Sequence, residues 1–409
     1  MNVESPRFPL MDSLRAIAAI SVFFAHGLVL LEYLGGNSLS PLLARQDIGV
    51  AIFLLISAFL LYRPFVQARY EQRPLPALVP FAIRRVLRII PAYWLALTGV
   101  ALWLGADYVF TGGGIVRYYG LLQVYDADTI TRGIGQAWTV CIEITFYLLL
   151  PIWALIARRR PWTTDREFAR SELVPLALMF VAGVVWNLWA REATAAGTTK
   201  PTPGTYTIPA YFDFFAIGMA LTVASVLLWN RPRQPRLVRL VDERPWIPWL
   251  IAGIAFWVSG LAGGAYDRVS NLEFLYRHEM NWVTALFLLL PAVFGDQTRG
   301  WVRKVLANRF LLWLGMTSYA FYLWHLVILN RFIEYDVPDT LGGAGYLAVA
   351  FALSLAIGGA SWYGLEIHAL RLGRKLSRRD PHVPTPQDEI EMTHVPLSVG
   401  AAEAAPTRE

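Results

Sequence analysis

Apolar residues along the chain gather into ten stretches close to the ~20 residues that an α-helix needs to cross a bilayer. They run over 10–32, 46–66, 90–107, 138–157, 172–190, 209–229, 246–264, 281–294, 310–333 and 342–364, the eighth being the shortest. No glycine-rich phosphate loop after a strand, fixed-period repeat or polar insertion long enough for a second soluble domain interrupts them. The first stretch carries Arg15 inside its apolar run and nine similar stretches follow, so it reads as a retained helix and not as a cleaved signal peptide. The pattern predicts an all-α polytopic membrane protein with about ten transmembrane helices in one domain, residues 1–380. From Pro381 to Glu409 the chain turns to Pro, acidic and small residues without periodicity, which predicts a disordered cytoplasmic tail.

Composition narrows the setting. Of 409 residues, 56% are hydrophobic and only 16% charged, against about 25% charged in soluble domains; this is too little polar surface to cover a water-soluble globule. The single cysteine, Cys141, excludes a disulfide-stapled secreted fold and a cysteine-based zinc site. The net charge of +6 does not call for a nucleic-acid partner, because the cations sort by loop. With the N-terminus in the cytoplasm, 27 of the 36 Lys and Arg fall on the cytoplasmic face, eight fall on the other, and Arg15 stays within the first helix. The positive-inside rule then puts both termini in the cytoplasm of a multi-pass protein of a plasma or bacterial inner membrane. Thirty-three arginines against three lysines hint at a high-GC bacterial source.

Ionisable side chains within spanning helices are expensive and usually face the bundle interior, so each is a functional candidate. Five stand out: Asp12, Arg15, His26, Glu143 and His325. Arg15 and His26 are eleven residues apart, three turns plus about 20°, so they share one helix face about 16 Å apart. Counting along the helices puts His26, Glu143 and His325 in one outer-half layer. Arg15 shares the opposite layer with the basic run Arg84-Arg85-Val86-Leu87-Arg88. Simpler roles compete at each position. Arg15 has Asp12 three residues earlier for local pairing, and each histidine has the option of a neighbouring hydroxyl or carbonyl. Arg84, Arg85 and Arg88 also suit lipid phosphates, while Trp138, Tyr319 and Trp324 suit interfacial or packing roles.

The same residues fall into five ordered motifs. Arg15 and His26 form an Arg, ten residues, His pattern. Gly49 to Leu60 read Gly-Val-Ala-Ile-Phe-Leu-Leu-Ile-Ser-Ala-Phe-Leu, and Phe81 to Tyr93 read Phe-Ala-Ile-Arg-Arg-Val-Leu-Arg-Ile-Ile-Pro-Ala-Tyr. A fourth segment holds Trp138, Glu143, Phe146, Tyr147 and Pro151, and a fifth holds Gly315, Ser318, Tyr319, Tyr322 and His325. In these motifs, over roughly residues 8 to 370, the chain resembles the membrane-bound acyltransferases of acyltransferase family 3, in the stand-alone form without a hydrolase-like domain. Two positions depart from the family pattern: Ala58 stands where Gly is usual, and Glu366 is followed by Ile-His-Ala where many members have a nearby Pro.

The resemblance implies an integral-membrane O-acyltransferase. Its donor is expected to be cytoplasmic acyl-CoA, and its acceptor a hydroxyl of a carbohydrate, glycolipid or glycosylated metabolite. Arg84, Arg85 and Arg88 are then donor-binding, since planar guanidinium groups match phosphates. His26 is the candidate base, with Glu143 orienting its imidazole and Arg15 binding the donor or steadying the acyl carbonyl. Ser318, Tyr319 and His325 contact donor or acceptor. No metal and no cofactor beyond the acyl-CoA co-substrate is expected, because no tight ligand spacing joins His26, Glu143 and His325. Direct attack on the thioester and a transient acyl-enzyme are both compatible with these residues. The competing class is a transporter or flippase for an anionic or sugar-containing solute, which also needs polar residues lining a bundle, although no internal duplication is visible.

Overall fold

The computed structural model describes residues 8–31, 42, 45–195, 203–229, 231, 233–261 and 270–377, so the expected tail at 381–409 lies outside the described residues. The helices are α1 (Leu10–Leu30), α2 (Ile48–Tyr70), α3 (Leu78–Leu104), α4 (Trp138–Arg158), α5 (Asp165–Ala195), α6 (Phe212–Trp229) and α7 (Arg236–Glu243). After them come α8 (Trp246–Ser259), α9 (Asn271–Val293), α10 (Trp301–Leu306), α11 (Arg309–Glu334), α12 (Val337–Ser361) and α13 (Ile367–Ser377). Each of the ten predicted stretches falls on one of these helices, and the described residues form no strand.

Eight of the ten are long and apolar enough to cross a membrane by length and composition. The other two are α8 and α9. Helix α8 has 14 residues, about 21 Å of rise against a ~30 Å hydrocarbon core. Helix α9 has 23 residues, but Glu273, Arg277, His278 and Glu279 occupy its first half, which is why its apolar signal looked short. The third predicted stretch also starts late. Helix α3 begins at Leu78, not near 90, so Arg84, Arg85 and Arg88 lie inside it. Phe81 and Ile89 are buried at this end, and α13 packs along it.

Local chemistry sets several helix ends. Asn308 caps α11 by accepting from the Phe310 and Leu311 amides at 2.9 and 3.3 Å, and Ser270 with Glu273 forms a reciprocal capping box at the start of α9. Pro64, Pro91, Pro151, Pro175 and Pro291 sit inside helices, where neighbouring elements of a membrane bundle compensate the lost amide.

Helix α1 packs against α2 and α11, α2 against α6, and α11 against α12. Small residues allow these approaches. A Cβ at Gly315 of α11 would lie 1.8 Å from the Asp12 carbonyl oxygen of α1. Gly315→Ala is therefore expected to destabilise the fold by about 1–3 kcal/mol through overpacking, read as a lower unfolding midpoint in detergent; an unchanged midpoint would mean that α1 and α11 part without penalty. At the α2–α6 contact a Cβ on Gly218 would stand 2.6 Å from the Ala58 methyl. The methyl that departs from the family pattern at position 58 thus meets a glycine on the facing helix.

Buried polar groups tie the bundle together away from the apolar seams. Glu172 on α5 takes the Tyr62 hydroxyl at 2.6 Å and pairs with Arg69 of α2. Arg69 also donates to the Arg160 carbonyl at 2.8 Å and to Ser171 Oγ at 2.9 Å. Arg303, fully buried on α10, donates to the carbonyls of Val241, Asp242, Pro291, Phe294 and Arg299. One side chain thereby joins the ends of α7, α9 and α10.

Candidate active site

The first turn of α1 presents Asp12 and Arg15, whose carboxylate and guanidinium pair at 2.8 Å. The local pairing open to Arg15 is therefore realised, and both residues nevertheless line a cavity of about 250 Å³. From α3 come Arg84, Arg85 and Arg88, from α4 Glu143, and from α11 Ser318 and Tyr319. Seven of the nine site residues expected from sequence thus line one cavity. His26 and His325 are the exceptions among the described residues.

Two hydrogen bonds fix the alignment of α3 and α11. Tyr319 donates its hydroxyl to the Ile89 carbonyl at 3.1 Å, and Arg331 donates to the Trp103 carbonyl. Advancing twelve residues on α11 matches fourteen on α3, so the two helices run in parallel. Arg84 lies five residues before Ile89, about 7 Å down α3, and Tyr322 lies about 4–5 Å up α11 from Tyr319. The cavity accordingly has an arginine end near Arg84 and an opposite end at Thr139 and Tyr322, which also line it.

Glu143 lies between these ends. Its Oε1 accepts the Ser57 hydroxyl of α2 at 2.5 Å and the Tyr147 hydroxyl one turn along its own helix. The sequence reading has Glu143 orienting the His26 ring. The structure gives that place to His325 instead: His26 Nδ1 lies 2.9 Å from His325 Nε2, with the rings stacked at 22°. The cause is helix packing. His26 lies where α1 packs on α11, whereas the Glu143 carboxylate bonds Ser57 of α2.

The histidine pair has a defined proton arrangement. His325 is fully buried, enclosed by Phe23 and Phe321, and its Nδ1 lies 2.7 Å from the Tyr322 carbonyl oxygen. A carbonyl only accepts, so Nδ1 carries the hydrogen and the Nε2 of neutral His325 is an acceptor. It takes the Nδ1 hydrogen of His26, which leaves a lone pair on His26 Nε2, the arrangement a general base requires. Gln136 Nε2 donates to the same Tyr322 carbonyl at 2.7 Å. The Tyr322 hydroxyl donates to the Gln136 carbonyl at 2.8 Å and lies 2.8 Å from Thr139 Oγ1. Tyr322 thus joins the cavity wall to the histidine pair.

Ser318 and Tyr319 line the cavity with their hydroxyl hydrogens committed, Ser318 to the Gly315 carbonyl at 2.7 Å and Tyr319 to Ile89. They remain available there as acceptors. Residues the sequence reading gave no role include Ser57, Gln136, Tyr147, Tyr322 and Arg374. Ser57, Tyr147 and Tyr322 stand in the quoted motifs, and only their side-chain partners reveal their place; Arg374 sits among the basic residues sorted by loop. Glu366 does not line the cavity but lies beside it: it is 5% exposed, accepts the Ser361 hydroxyl at 3.2 Å and lies within electrostatic reach of Arg88, which does. A π turn over Trp362–Glu366 brings it inward.

A separate polar cluster lies on α6 and α9. Asp213, fully buried, bonds His278 Nε2 at 2.7 Å and its neighbouring Phe214 amide at 2.8 Å, and Glu279 stands close by. These three hold ligating atoms within 4.8 Å of one another, the one such group of three among the described residues. Both oxygens of Asp213 are already engaged by protein donors.

The chain has relatives among known proteins. The chain is 24% identical over 343 residues to the peptidoglycan O-acetyltransferase OatA of Listeria monocytogenes, covering 79% of this chain but 49% of that protein. It is 25% identical over 401 residues to nodulation protein 10 of Rhizobium leguminosarum bv. viciae, covering 90% of this chain and 95% of the relative. It is 26% identical over 402 residues to the acyltransferase MdmB of Streptomyces mycarofaciens, covering 93% and 95%. The chain therefore spans about half the length of the Listeria relative and nearly all of the other two. No solved structure matches it. A family model described as an acyltransferase domain matches residues 9–361, almost the whole helical bundle, and the chain belongs to that family, acyltransferase family 3.

Proposed function

We propose that this protein is a multi-pass bacterial membrane O-acyltransferase. It binds an acyl-CoA at the arginine end of the cavity and transfers the acyl group to a hydroxyl of a carbohydrate or glycosylated acceptor near His26. The observation that carries this reading is a single cavity with Arg15, Arg84, Arg85 and Arg88 along its walls and, at its other end, Tyr322, whose carbonyl sets the tautomer of the histidine pair. Guanidinium groups match the phosphates of the donor, and the cation count favours a cytoplasmic position for this end. The relatives named as O-acetyltransferase and acyltransferase support the reaction class, and the peptidoglycan enzyme supports a glycan acceptor.

In the proposed step the acceptor hydroxyl gives its proton to His26 Nε2 as its oxygen attacks the thioester carbonyl. His325 holds the hydrogen bond on the opposite ring nitrogen. Collapse of the tetrahedral intermediate breaks the carbon–sulfur bond, and the thiolate recovers a proton from the His26 imidazolium. Arg15, fixed by Asp12, is the nearest cation on the same helix face and steadies the donor. Glu143 holds the Ser57 and Tyr147 hydroxyls in the middle of the cavity, where they shape the path of the acyl arm.

The test is incubation of purified protein with labelled acetyl-CoA and a panel of peptidoglycan fragments, oligosaccharides and glycosides. Formation of an ester supports the reading, and labelled donor left intact with every acceptor overturns it. Arg88→Ala is expected to raise the KM for acyl-CoA about tenfold or more, the loss of a hydrogen bond to a charged group worth ~1.5–3 kcal/mol, with a smaller change in kcat. A normal KM combined with a low kcat would remove Arg88 from donor binding.

A further inference from the structure

Helix α13 lies beyond residue 361, where the match to the family model ends, yet it closes one side of the cavity. Trp362, Leu370 and Arg374 all line it. Leu370 and Arg374 are four residues apart and so share a helix face. The helix runs antiparallel along the first half of α3: a Cβ at Gly373 would meet Leu87 at 3.5 Å and the Arg84 Cα at 3.8 Å, and the Ser377 hydroxyl donates to the Pro80 carbonyl at 3.3 Å. Arg374 therefore stands at the level of Arg84, at the end of the cavity remote from Tyr322.

The guanidinium groups divide along the cavity. Arg85 and Arg88 lie within electrostatic reach of Tyr147, the partner of Glu143. Arg84 is about 6 Å farther down α3 than Arg88. Arg15 has Asp12 and Arg88 has Glu366 as nearby countercharges. Five guanidinium groups around one cavity suit a ligand with several phosphate charges. An acyl-CoA carries them in two places: a diphosphate beside the pantetheine arm, and a phosphomonoester on the ribose, farther from the thioester.

We infer that Arg374 of α13, together with Arg84, forms the subsite for the terminal ribose phosphate of the donor, with Arg85, Arg88 and Arg15 left to the diphosphate. This rests on the acyl-CoA reading above. It makes α13 the element that selects the intact nucleotide thioester over shorter carriers of the same acyl group. Arg374 is a binding residue remote from the reacting atoms, and its removal weakens only ligands that carry the terminal phosphate.

The experiment is calorimetric titration of the full-length protein in nanodiscs with CoA and with dephospho-CoA, for wild type, Arg374→Ala and Arg374→Lys. Wild type is expected to bind CoA about tenfold or more tightly than dephospho-CoA, as for a charge-assisted phosphate contact. Arg374→Ala is expected to remove most of the preference for CoA without changing dephospho-CoA binding, the remainder being held by Arg84, and Arg374→Lys to fall between it and wild type. Equal weakening of both ligands by Arg374→Ala, or a CoA preference left undiminished by it, overturns the subsite while leaving the donor reading intact. Failure of wild type to bind either ligand overturns the donor reading and the subsite with it.

Discussion

His26→Ala is expected to lower acyl transfer by about 10²- to 10⁴-fold, the usual range for removing a positioned general base, while the protein stays folded in the membrane. His26 is half-buried and its ring makes one hydrogen bond to His325, so little of the fold depends on it. What it uniquely offers is the Nε2 lone pair, pointed away from a hydrogen-bonded chain that starts at the Tyr322 carbonyl. His325→Ala should be milder: the His26 ring survives, but its tautomer is no longer set. Turnover and circular dichroism on both variants check this. Near-normal turnover in His26→Ala would sink the mechanism. Equal loss from both variants would instead make the pair one functional unit, as residues acting together are strongly non-additive.

The second large effect is on stability and lies away from the cavity. Glu172→Ala is expected to destabilise the bundle by about 3–5 kcal/mol, because it leaves the buried Arg69 guanidinium without its carboxylate. Arg69 would keep the Arg160 carbonyl and Ser171, and Tyr62 would keep the Trp153 indole N–H, which donates to its hydroxyl at 3.2 Å. None of these supplies a negative charge. Glu172→Gln, which retains an acceptor, should lose less. Thermal unfolding in detergent reads the difference, with residual activity at low temperature as the control. A midpoint within a degree or two of wild type in Glu172→Ala would mean that water reaches and solvates Arg69.

Much of the framework was legible because hydrophobic stretches and intramembrane charges are local signals. The ten stretches all correspond to helices, and the Asp12–Arg15 pair follows directly from three-residue spacing. Helix α9 was harder to read, since its first half carries the polar cluster that bonds Asp213. The start of α3 was missed for a related reason: its arginines interrupt hydropathy, and only the docking of α13 explains why the helix extends through them. The partner of His26 lay beyond sequence pattern altogether. His325 is 299 residues away, and choosing between it and Glu143 requires knowing that α1 packs on α11 there. Motif recognition brought Tyr147 and Tyr322 to notice but not what their hydroxyls touch. Glu366 shows the same limit, because the absence of a nearby Pro says nothing of the π turn that buries it.

The contact between Ala58 and Gly218 changes how a departure from a family motif should be weighed. The space between α2 and α6 admits one methyl group, and in this chain α2 carries it. The crossing is nevertheless not symmetric: a Cβ at 218 would also stand 2.7 Å from the Leu55 carbonyl oxygen, so glycine is required there whichever residue occupies 58. The alanine at 58 is admitted because it faces a glycine that the Leu55 backbone already demands. Tolerance for a methyl group at 58 is thus set by a residue 160 positions away in sequence.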